Sequence, residues 1–362
     1  MRVGYEVTGL ELDAAGSARY IESLRRELER IDGIDLVPLR QDGGPNGRVL
    51  RGLRRELAYF PFELPRRAKK LGLDLLHCTS AVAPMRSSVP TMITLHDVLG
   101  LEHPEWFTRA LALHSKLVLA PAVRRASVVL VPSAYTRDRL VDRLQVDPER
   151  IRLVPLGIEE RFSPGEPPDG LRERFGLERP YVLTVGTLQP RKNIERALHA
   201  FERLVASGSE HGLAIVGGRG WHDEPLAQRI RDSPAAERIV MTERVNDDDL
   251  IGLYRAAEVF VFPSRYEGFG LPPLEAMACG CPTIVSDAGS LPEVVGDAAL
   301  IVPVGDGDAL ASAIKETLVN QRLRSGLIRR GRAHAAQFSW EKTAAQTLDV
   351  YKRVLTGQPP SG

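Results

Sequence analysis

Cysteine is scarce in this sequence, and long apolar runs are missing. The three cysteines, Cys78, Cys279 and Cys281, are odd in number and lack CxxC spacing, which argues against a disulfide framework and against a zinc site. No run of about 18 apolar residues is present to cross a membrane. The opening MRVGYEVTG fits a first β-strand better than a signal peptide. We therefore expect reduced thiols and a cytoplasmic location.

An excess of charge of one sign is also lacking. The 48 basic and 47 acidic residues leave a net charge of +1. Nucleic-acid binding would call for a concentrated basic face, so we predict no nucleic-acid partner. The composition is that of an ordinary globular protein, with 43% apolar and 26% charged residues, and 362 residues suit two compact domains.

Short β-type runs alternate with longer helical patterns along the whole chain. Alternation of this kind predicts βαβ units on parallel sheets, and hence an α/β fold. The predicted strands of the first half lie in RVGYEV, IDLVPL, LDLLHC, TMITLHD and SVVLVPS. Those of the second half lie in PYVLTVG, LAIVGG, RIVMTERV, EVFVFPS, PTIVSD and ALIVPVG. One helix is predicted from Ile194 to Val205, with Asn193 as its N-cap.

The alternation breaks at SPGEPPDG, whose proline, glycine and charge content is typical of an exposed linker. We predict a first domain over 1–163, a linker over 164–170 and a second domain over 171–337. The two halves resemble each other weakly, since ASVVLVPSAYTRDRL and AEVFVFPSRYEGFGL align without gaps. If the repeat is real, the second copy has gained EGF at a strand's carboxyl end, where open α/β sheets bind ligands.

Two glutamates flank a glycine- and proline-rich bend in SRYEGFGLPPLEAMACG. Glu267 is predicted in the strand-to-helix loop and Glu275 near the start of the helix. A carboxylate can accept two hydroxyl groups of a sugar, and glycines let backbone N–H groups approach a ligand, so the stretch would suit a nucleotide-sugar. The alternative is a solvated Glu267 and a Glu275 that only favours the helix terminus.

The stretch from PSRYEGFGLPPLEAMACG through SLPEV resembles the E-x7-E signature of retaining glycosyltransferase family 4. VGTLQPRKNIERAL, GGRGW, TLHD and FSWEKTA extend this resemblance over nearly the whole chain. The resemblance implies the GT-B fold, in which two Rossmann-like parallel-sheet domains face each other across a cleft. It also implies an N-terminal acceptor domain, a C-terminal donor domain and a last helix, 338–356, that crosses back to the first domain.

The same resemblance implies the donor-site residues of the second domain, which are assigned by matching this sequence to the family's motifs. Glu275 would hold the nucleotide ribose. Glu267 would grip the donor sugar, and Arg191 and Lys192 would bind the diphosphate, where the alternative is a solvated basic turn. The remaining donor-site positions that the motifs suggest are Gly186, Gly268, Phe269, Gly270 and Leu271.

Three further positions match the family less directly. Gly16 lies on the glycine-rich loop that leads into the first helix, although Ala18 replaces a second glycine. His96, at a strand end in TLHD, would lie near the donor sugar and its leaving phosphate, or would be a strand-end histidine oriented by Asp97. Val245 lies where the backbone of the family frames the base.

The resemblance implies a retaining, metal-independent hexosyltransferase that uses a nucleotide-diphosphate sugar as substrate and no cofactor. We expect no metal site, because no DxD-type motif ends a strand. TLHDVLGLEHPEWF and GGRGW resemble the mannosyltransferase branch, which favours GDP-mannose as donor. The acceptor stays open among a glycan, a lipid-linked molecule and a small molecule. The alternatives are a non-catalytic two-domain sugar- or nucleotide-binding module and a GT-B-type sugar-nucleotide epimerase. A dinucleotide oxidoreductase is disfavoured because no GxGxxG opens either domain.

One basic and aromatic stretch, RGLRRELAYFPFELPRRAKK at 51–70, could dock peripherally on the cytoplasmic face of an anionic membrane. The alternative, which we prefer, is two ordinary helices whose aromatic side chains face the core.

Overall fold

The chain divides into two compact units, each of which is built around its own sheet. The computed structural model describes residues 1–11, 15–41, 52, 54–107, 109–218 and 224–357. The first unit contains residues 1–157 and 339–362, and the second contains residues 158–338. The first unit therefore ends before the predicted linker, 164–170. Arg255 of the second unit binds the carbonyl oxygens of Ser163 and Glu166, so this segment packs on the second unit.

The first unit holds a six-stranded parallel sheet. Its strands are β1 (Arg2–Glu6), β2 (Asp35–Leu39), β3 (Leu75–Cys78), β4 (Thr91–Thr94), β5 (Val128–Val131) and β6 (Ile151–Leu153). They are arranged in the order β2-β1-β3-β4-β5-β6. The central strands β3 and β4 are fully buried, as expected of a parallel sheet covered by helices on both faces, although they include the polar residues His77, Thr91 and Thr94.

Among the described residues, five α-helices and one π-helix accompany this sheet before the chain leaves the first unit. The π-helix is Arg55–Glu63. The α-helices are α1 (Ala15–Glu29), α2 (Leu64–Lys70), α3 (Leu99–Glu102), α4 (Arg109–Arg125) and α5 (Ala134–Leu144). Within the basic and aromatic stretch, Tyr59 and Phe60 are buried, whereas Phe62 is 55% exposed, so the expectation that all three aromatic rings face the core was wrong for Phe62.

The second unit repeats the architecture with a different strand order. Its strands are β7 (Tyr181–Val185), β8 (Gly212–Val216), β9 (Ile239–Thr242), β10 (Val259–Phe262), β11 (Thr283–Ser286) and β12 (Leu300–Val302). They are arranged in the order β12-β11-β10-β7-β8-β9, and every pair is parallel. Numbered along the chain within the unit, this is the order 3-2-1-4-5-6 of a Rossmann sheet.

One helix precedes β7, and the others lie between these strands or follow the last one. They are α6 (Leu171–Phe175), α7 (Ile194–Ala206), α8 (Glu224–Arg231), α9 (Asp247–Ala256), α10 (Leu271–Ala278), α11 (Leu291–Val295), α12 (Gly307–Val319) and α13 (Gln321–Ala335). Apolar side chains of α7, such as Leu198 and Phe201, pack with strand residues such as Ile215 and Val261 in the core. The predicted 3.6-residue pattern thus covers the sheet.

The last helix, α14 (Trp340–Thr356), returns to the first unit. Its Tyr351 hydroxyl lies 2.7 Å from His77 Nδ1 on β3, and its Thr343 hydroxyl donates to the Pro155 carbonyl at 2.8 Å. A side chain at Gly157 would collide with the backbone of Trp340, because a Cβ atom there would lie 2.2 Å from its nitrogen. The helix is therefore a packed part of the first unit. In the described part of the chain, no helix combines the length and apolarity needed to span a bilayer.

Candidate functional site

The strand order of the second unit creates one point at which neighbouring loops diverge. β7 and β10 are adjacent, yet the chain continues from β7 towards β8 on one side and from β10 towards β11 on the other. Open α/β sheets bind ligands at the carboxyl ends of two such strands. The loop that follows β7 carries Arg191 and Lys192, and the loop that follows β10 carries Glu267.

These two loops are tied together through their backbones. The Arg265 N–H donates to the Arg191 carbonyl at 2.7 Å. Asn193 precedes α7 in a left-handed conformation, with φ of 53°, and its amide group donates to the Pro263 carbonyl at 3.0 Å. Asn193 is the N-cap residue of α7, as predicted, but its side chain makes no capping hydrogen bond and holds the other loop instead.

Both cations of the basic pair contact one carboxylate. Arg191 Nη1 lies 3.0 Å from Glu267 Oε2, and Lys192 Nζ lies 2.7 Å from Glu267 Oε1. The Lys192 ammonium also lies 4.7 Å from the centre of the Phe262 ring, and Arg191 reaches the Tyr266 carbonyl at 3.4 Å. The basic pair is therefore organised within the site and is not a solvated turn.

Glu267 is ionised at neutral pH. Burial alone would raise the pKa of this carboxyl, which is only 8% exposed, but the charges of Lys192 and Arg191 outweigh burial and hold the pKa below its usual value. The site thus contains two positive charges and one negative charge, and it keeps a net positive charge that would favour an anionic ligand.

A serine and a glycine from the turn after β11 support the Glu267 loop from behind. The Ser290 hydroxyl lies 3.0 Å from the Glu267 carbonyl and 2.8 Å from the Phe269 carbonyl. Gly289 has φ of 61°, and a Cβ atom there would lie 2.6 Å from the Glu267 carbonyl oxygen. Residue-by-residue interpretation of the sequence missed both roles, although Ser290 is the first residue of the SLPEV segment of the family signature and Gly289 directly precedes it.

The bend that follows Glu267 leads directly into α10. Gly268, Phe269 and Gly270 are buried, and Gly270 precedes the helix with φ of 117°. Leu271 starts α10 and is half-buried. Prolines at the next two positions suit a first turn, whose N–H groups have no partner within the helix.

Glu275 lies in the middle of α10 and is only 3% exposed. Its Oε2 accepts a hydrogen bond of 3.1 Å from the Tyr254 hydroxyl on α9. A buried polar group is costly unless it is hydrogen-bonded, so this contact offsets part of the cost of burying the Glu275 side chain.

The other donor-site candidates of the second unit lie on neighbouring loops. Gly186 follows β7, and a Cβ atom there would lie 3.3 Å from the Lys192 side chain. Val245 is half-buried between β9 and α9, at the sheet edge two strands away from β7. The structure therefore groups Gly186 with the basic pair but does not bring Val245 to it. Within GGRGW, residues 219–221 lie outside the described residues.

In the first unit, His96 lies just beyond β4 and packs on α1. Its ring stands edge-on to the ring of Tyr20, with 4.7 Å between the ring centres. Tyr20 lies on α1, one helical turn after Gly16. Burial lowers the pKa of His96 to about 4, so the ring is neutral at pH 7. Its Nε2 is buried without a hydrogen-bond partner in the described residues, whereas Gly16 is exposed and has open space around it. The Asp97 carboxylate accepts from the Leu99 N–H at 3.0 Å.

Among the described residues, no three His, Cys, Asp or Glu side chains are grouped as a metal site requires. The charged groups found together at the β7–β10 edge are the two cations and Glu267. Such a set suits an anionic ligand with hydroxyl groups.

Comparisons with known proteins agree with this arrangement. Residues 4–162 match the model of Glycosyltransferase Family 4, and residues 171–334 match that of Glycosyl transferases group 1. The chain is 34% identical over 350 residues to the O-antigen chain mannosyltransferase B of Escherichia coli, and the alignment covers 92% of each chain. It is 34% identical over 289 residues to the D-inositol 3-phosphate glycosyltransferase of Acidothermus cellulolyticus. That alignment covers 76% of this chain and 64% of the relative.

A solved structure agrees on the fold. Sucrose-phosphate synthase from Thermosynechococcus elongatus has a TM-score of 0.77 with this chain at 21% identity, covering 99% of this chain and 100% of that one. At such identity the likeness concerns the architecture of two parallel sheets and nothing finer. Together with the family matches and the E-x7-E signature at Glu267 and Glu275, it identifies the chain as a GT-B glycosyltransferase that belongs to glycosyltransferase family 4.

Proposed function

We propose that this glycosyltransferase transfers mannose from GDP-mannose to an acceptor hydroxyl with retention of configuration and without a metal ion. The observation that carries the proposal is the juxtaposition of Arg191, Lys192 and Glu267 at the β7–β10 edge, with Glu275 on the helix that follows. This edge is where a Rossmann sheet binds a nucleotide.

The basic pair would bind the donor diphosphate. Arg191 offers a planar fork for phosphate oxygens, and Lys192 offers a compact point charge. Both would leave their contact with Glu267 at least in part, which frees the carboxylate for sugar hydroxyls. As the sugar–phosphate bond breaks, charge develops on the leaving phosphate, and fixed cations lower the barrier there. The Gly16 end of α1 would add N–H groups to the same phosphates.

The remaining residues would hold the two sugars and the base. Glu275 would accept the ribose hydroxyl groups, and the Gly268, Phe269 and Gly270 amides, together with Gly186 and Leu271, would line the donor. The backbone at Val245 would frame the base. Because His96 is neutral at pH 7, it would act as a hydrogen-bonding group toward the donor sugar or its phosphate and not as a general acid.

The transfer itself would occur on one face of the sugar. The bond from the anomeric carbon to the phosphate oxygen breaks, the bond to the acceptor oxygen forms, and the leaving phosphate oxygen takes the acceptor proton. This front-face step retains the anomeric configuration and needs no protein base, in keeping with the family resemblance.

The sugar and acceptor classes follow from similarity and surface chemistry. The mannosyltransferase relative from Escherichia coli supports mannose and an acceptor that is a glycan or a lipid-linked glycan. Leu57, 66% exposed, and Phe62 lie beside the basic residues of 51–70, which supports peripheral contact with an anionic membrane. Sedimentation with anionic and neutral vesicles tests the contact, and cell fractionation tests the predicted cytoplasmic location.

Donor titration tests the proposal directly. Calorimetry with GDP, UDP and ADP, each in EDTA and again with magnesium, should show tight binding of GDP that persists in EDTA. Incubation with GDP-mannose and a mannose-terminated oligosaccharide, followed by NMR of the product, should then show an α-mannosyl linkage. Binding that requires magnesium would contradict the metal-independent site. Conversion of the donor without any acceptor would favour the epimerase, and binding without turnover would favour the sugar-binding module.

A further inference from the structure

A buried hydrogen bond ties α9 to the second glutamate of the E-x7-E pair. The Tyr254 hydroxyl donates to Glu275 Oε2 at 3.1 Å, and the two residues are 0% and 3% exposed. They lie on different helices and are 21 positions apart in the sequence. The contact is excluded from water, and breaking it would leave a buried polar group without this partner.

The ring that carries this hydroxyl is fixed on two sides. Tyr254 stands edge-on to Phe260 of β10, with 5.5 Å between ring centres, and approaches Phe162 at 6.3 Å. Rings packed in this way at full burial have a single well-defined position. The Tyr254 hydroxyl is therefore a fixed donor, whereas the carboxyl group of Glu275 lies at the end of a side chain with three rotatable bonds.

A fixed donor on one carboxylate oxygen sets the orientation of the whole group. A carboxylate accepts hydrogen bonds in the plane of its two oxygens, so holding Oε2 in one direction also fixes where the other lone pairs point. Two hydroxyl groups on adjacent ribose carbons need acceptors in one set geometry, and an unrestrained carboxylate would have to lose rotational freedom on binding them.

We propose that Tyr254 is a positioning residue that orients Glu275 for the ribose hydroxyl groups of the donor nucleotide. The inference rests on the proposed role of Glu275 and extends it to a residue outside the E-x7-E signature. It places one determinant of nucleotide affinity on α9, where Tyr254 would act on the donor through Glu275.

The Tyr254→Phe variant tests this, with GDP and 2′,3′-dideoxy-GDP as paired probes in calorimetric titrations. The wild-type protein should bind GDP more tightly than its dideoxy analogue, because only GDP offers the hydroxyl groups. Removal of the tyrosine hydroxyl should weaken GDP binding by about five- to tenfold. The dissociation constant for dideoxy-GDP should stay within about twofold of the wild-type value, so that most of the preference for GDP over its dideoxy analogue disappears.

Tyr181→Phe is a closely matched control. Tyr181 is also fully buried, and its hydroxyl donates at 2.8 Å to the carbonyl of Leu253, the residue next to Tyr254 on α9. This variant removes a buried tyrosine hydroxyl that contacts the same helix from β7, and it leaves the Glu275 carboxylate untouched. It should bind both nucleotides like the wild type. Equal weakening of both probes by Tyr254→Phe, or the same loss of preference in Tyr181→Phe, would make the effect a general loosening of α9 and overturn the proposal.

Glu275→Gln separates this inference from the function on which it rests. If that variant keeps the full preference for GDP over dideoxy-GDP, the ribose assignment of Glu275 is wrong and the role of Tyr254 is lost with it. If Glu275→Gln loses the preference while Tyr254→Phe keeps it, the ribose assignment stands and only the positioning role is refuted. Loss of preference in both variants supports both statements.

Discussion

At the scale of single residues, Glu267 does two things that pull in opposite directions. Its carboxylate holds Arg191 and Lys192 in place through contacts of 3.0 and 2.7 Å. The same charge cancels part of the attraction that the two cations exert on a diphosphate. Which effect is larger decides how a nucleotide without its sugar binds. Glu267 is buried and the two cations are partly buried, so salt screens these charges only in part.

We predict that Glu267→Gln binds GDP more tightly than the wild type but transfers sugar more slowly. Loss of one negative charge beside the diphosphate should be worth about 1 kcal/mol, or about fivefold in the dissociation constant. Turnover should fall because the carboxylate no longer grips the donor sugar. Calorimetric titration with GDP at two salt concentrations, beside a steady-state assay with GDP-mannose, measures both effects.

Glu202→Gln is the control for that measurement. Glu202 forms a comparable ion pair with Arg229, between α7 and α8, away from the β7–β10 edge. The variant should bind GDP like the wild type. If Glu267→Gln binds GDP less tightly, the carboxylate mainly keeps the cations in position, and the competition between carboxylate and diphosphate is not the dominant effect.

At the scale of elements, the turn from β11 into α11 determines the shape of the Glu267 loop. Gly289→Ala should destabilise the protein and weaken donor binding together. The left-handed conformation costs a non-glycine residue about 1 kcal/mol, and the new Cβ atom would meet the backbone of Glu267 at 2.6 Å. We expect a total loss of about 2–4 kcal/mol in the free energy of unfolding, measured by urea denaturation, and weaker binding of GDP by calorimetry.

The Gly305→Ala variant measures how much the left-handed conformation alone, without a steric clash, lowers the free energy of unfolding. Gly305 has φ of 82° in the same unit, and a Cβ atom there meets nothing within 4 Å. This variant should lose about 1 kcal/mol of stability and bind GDP normally. Equal losses in the two alanine variants would mean that the Glu267 loop moves aside easily and is not shaped by this turn.

Much of the secondary structure could be predicted from the sequence, because all eleven predicted strands are present. The twelfth, β6, escaped because IRL is only three residues long, carries Arg152 at its centre and lies at the sheet edge. The E-x7-E spacing likewise indicated Glu267 and Glu275. Contacts across the fold could not be predicted, because nothing near Tyr254 or Ser290 in the sequence indicates which distant backbone or carboxylate they meet.

At the scale of the whole molecule, the chain leaves the first unit at Gly157 and comes back to it at Ser339. The returning helix α14 completes a buried polar chain in which the Tyr351 hydroxyl meets His77 Nδ1, and Thr94 meets both His77 Nε2 at 2.8 Å and the Tyr20 hydroxyl at 2.7 Å. Both partners of the ring are uncharged hydroxyl groups, so no negative charge compensates a second proton on the buried imidazole, and burial favours an uncharged His77.

The stability of the protein should therefore fall in mild acid. Burial lowers the pKa of His77 to about 3, whereas an unfolded histidine titrates near 6.5. The unfolded chain takes up a proton that the folded chain excludes, so the contribution of His77 is complete above about pH 6.5 and is lost as the pH falls towards 3. The slope of the unfolding free energy is at most about 1.4 kcal/mol per pH unit for this group, and His96, with a pKa of about 4, adds in the same direction.

His77→Gln tests this, because it removes the titrating group and keeps a side chain that can both donate and accept. Urea denaturation at pH 7, 6 and 5 should give a shallower loss of stability for the variant than for the wild type, by up to about 1.4 kcal/mol per pH unit. Tyr351→Phe removes a partner of the same histidine and leaves the histidine in place. It should lower stability at every pH while keeping most of the wild-type slope. Parallel curves for His77→Gln and the wild type would mean that other groups produce the acid sensitivity and that the chain from Tyr351 to Tyr20 tolerates a charged imidazole.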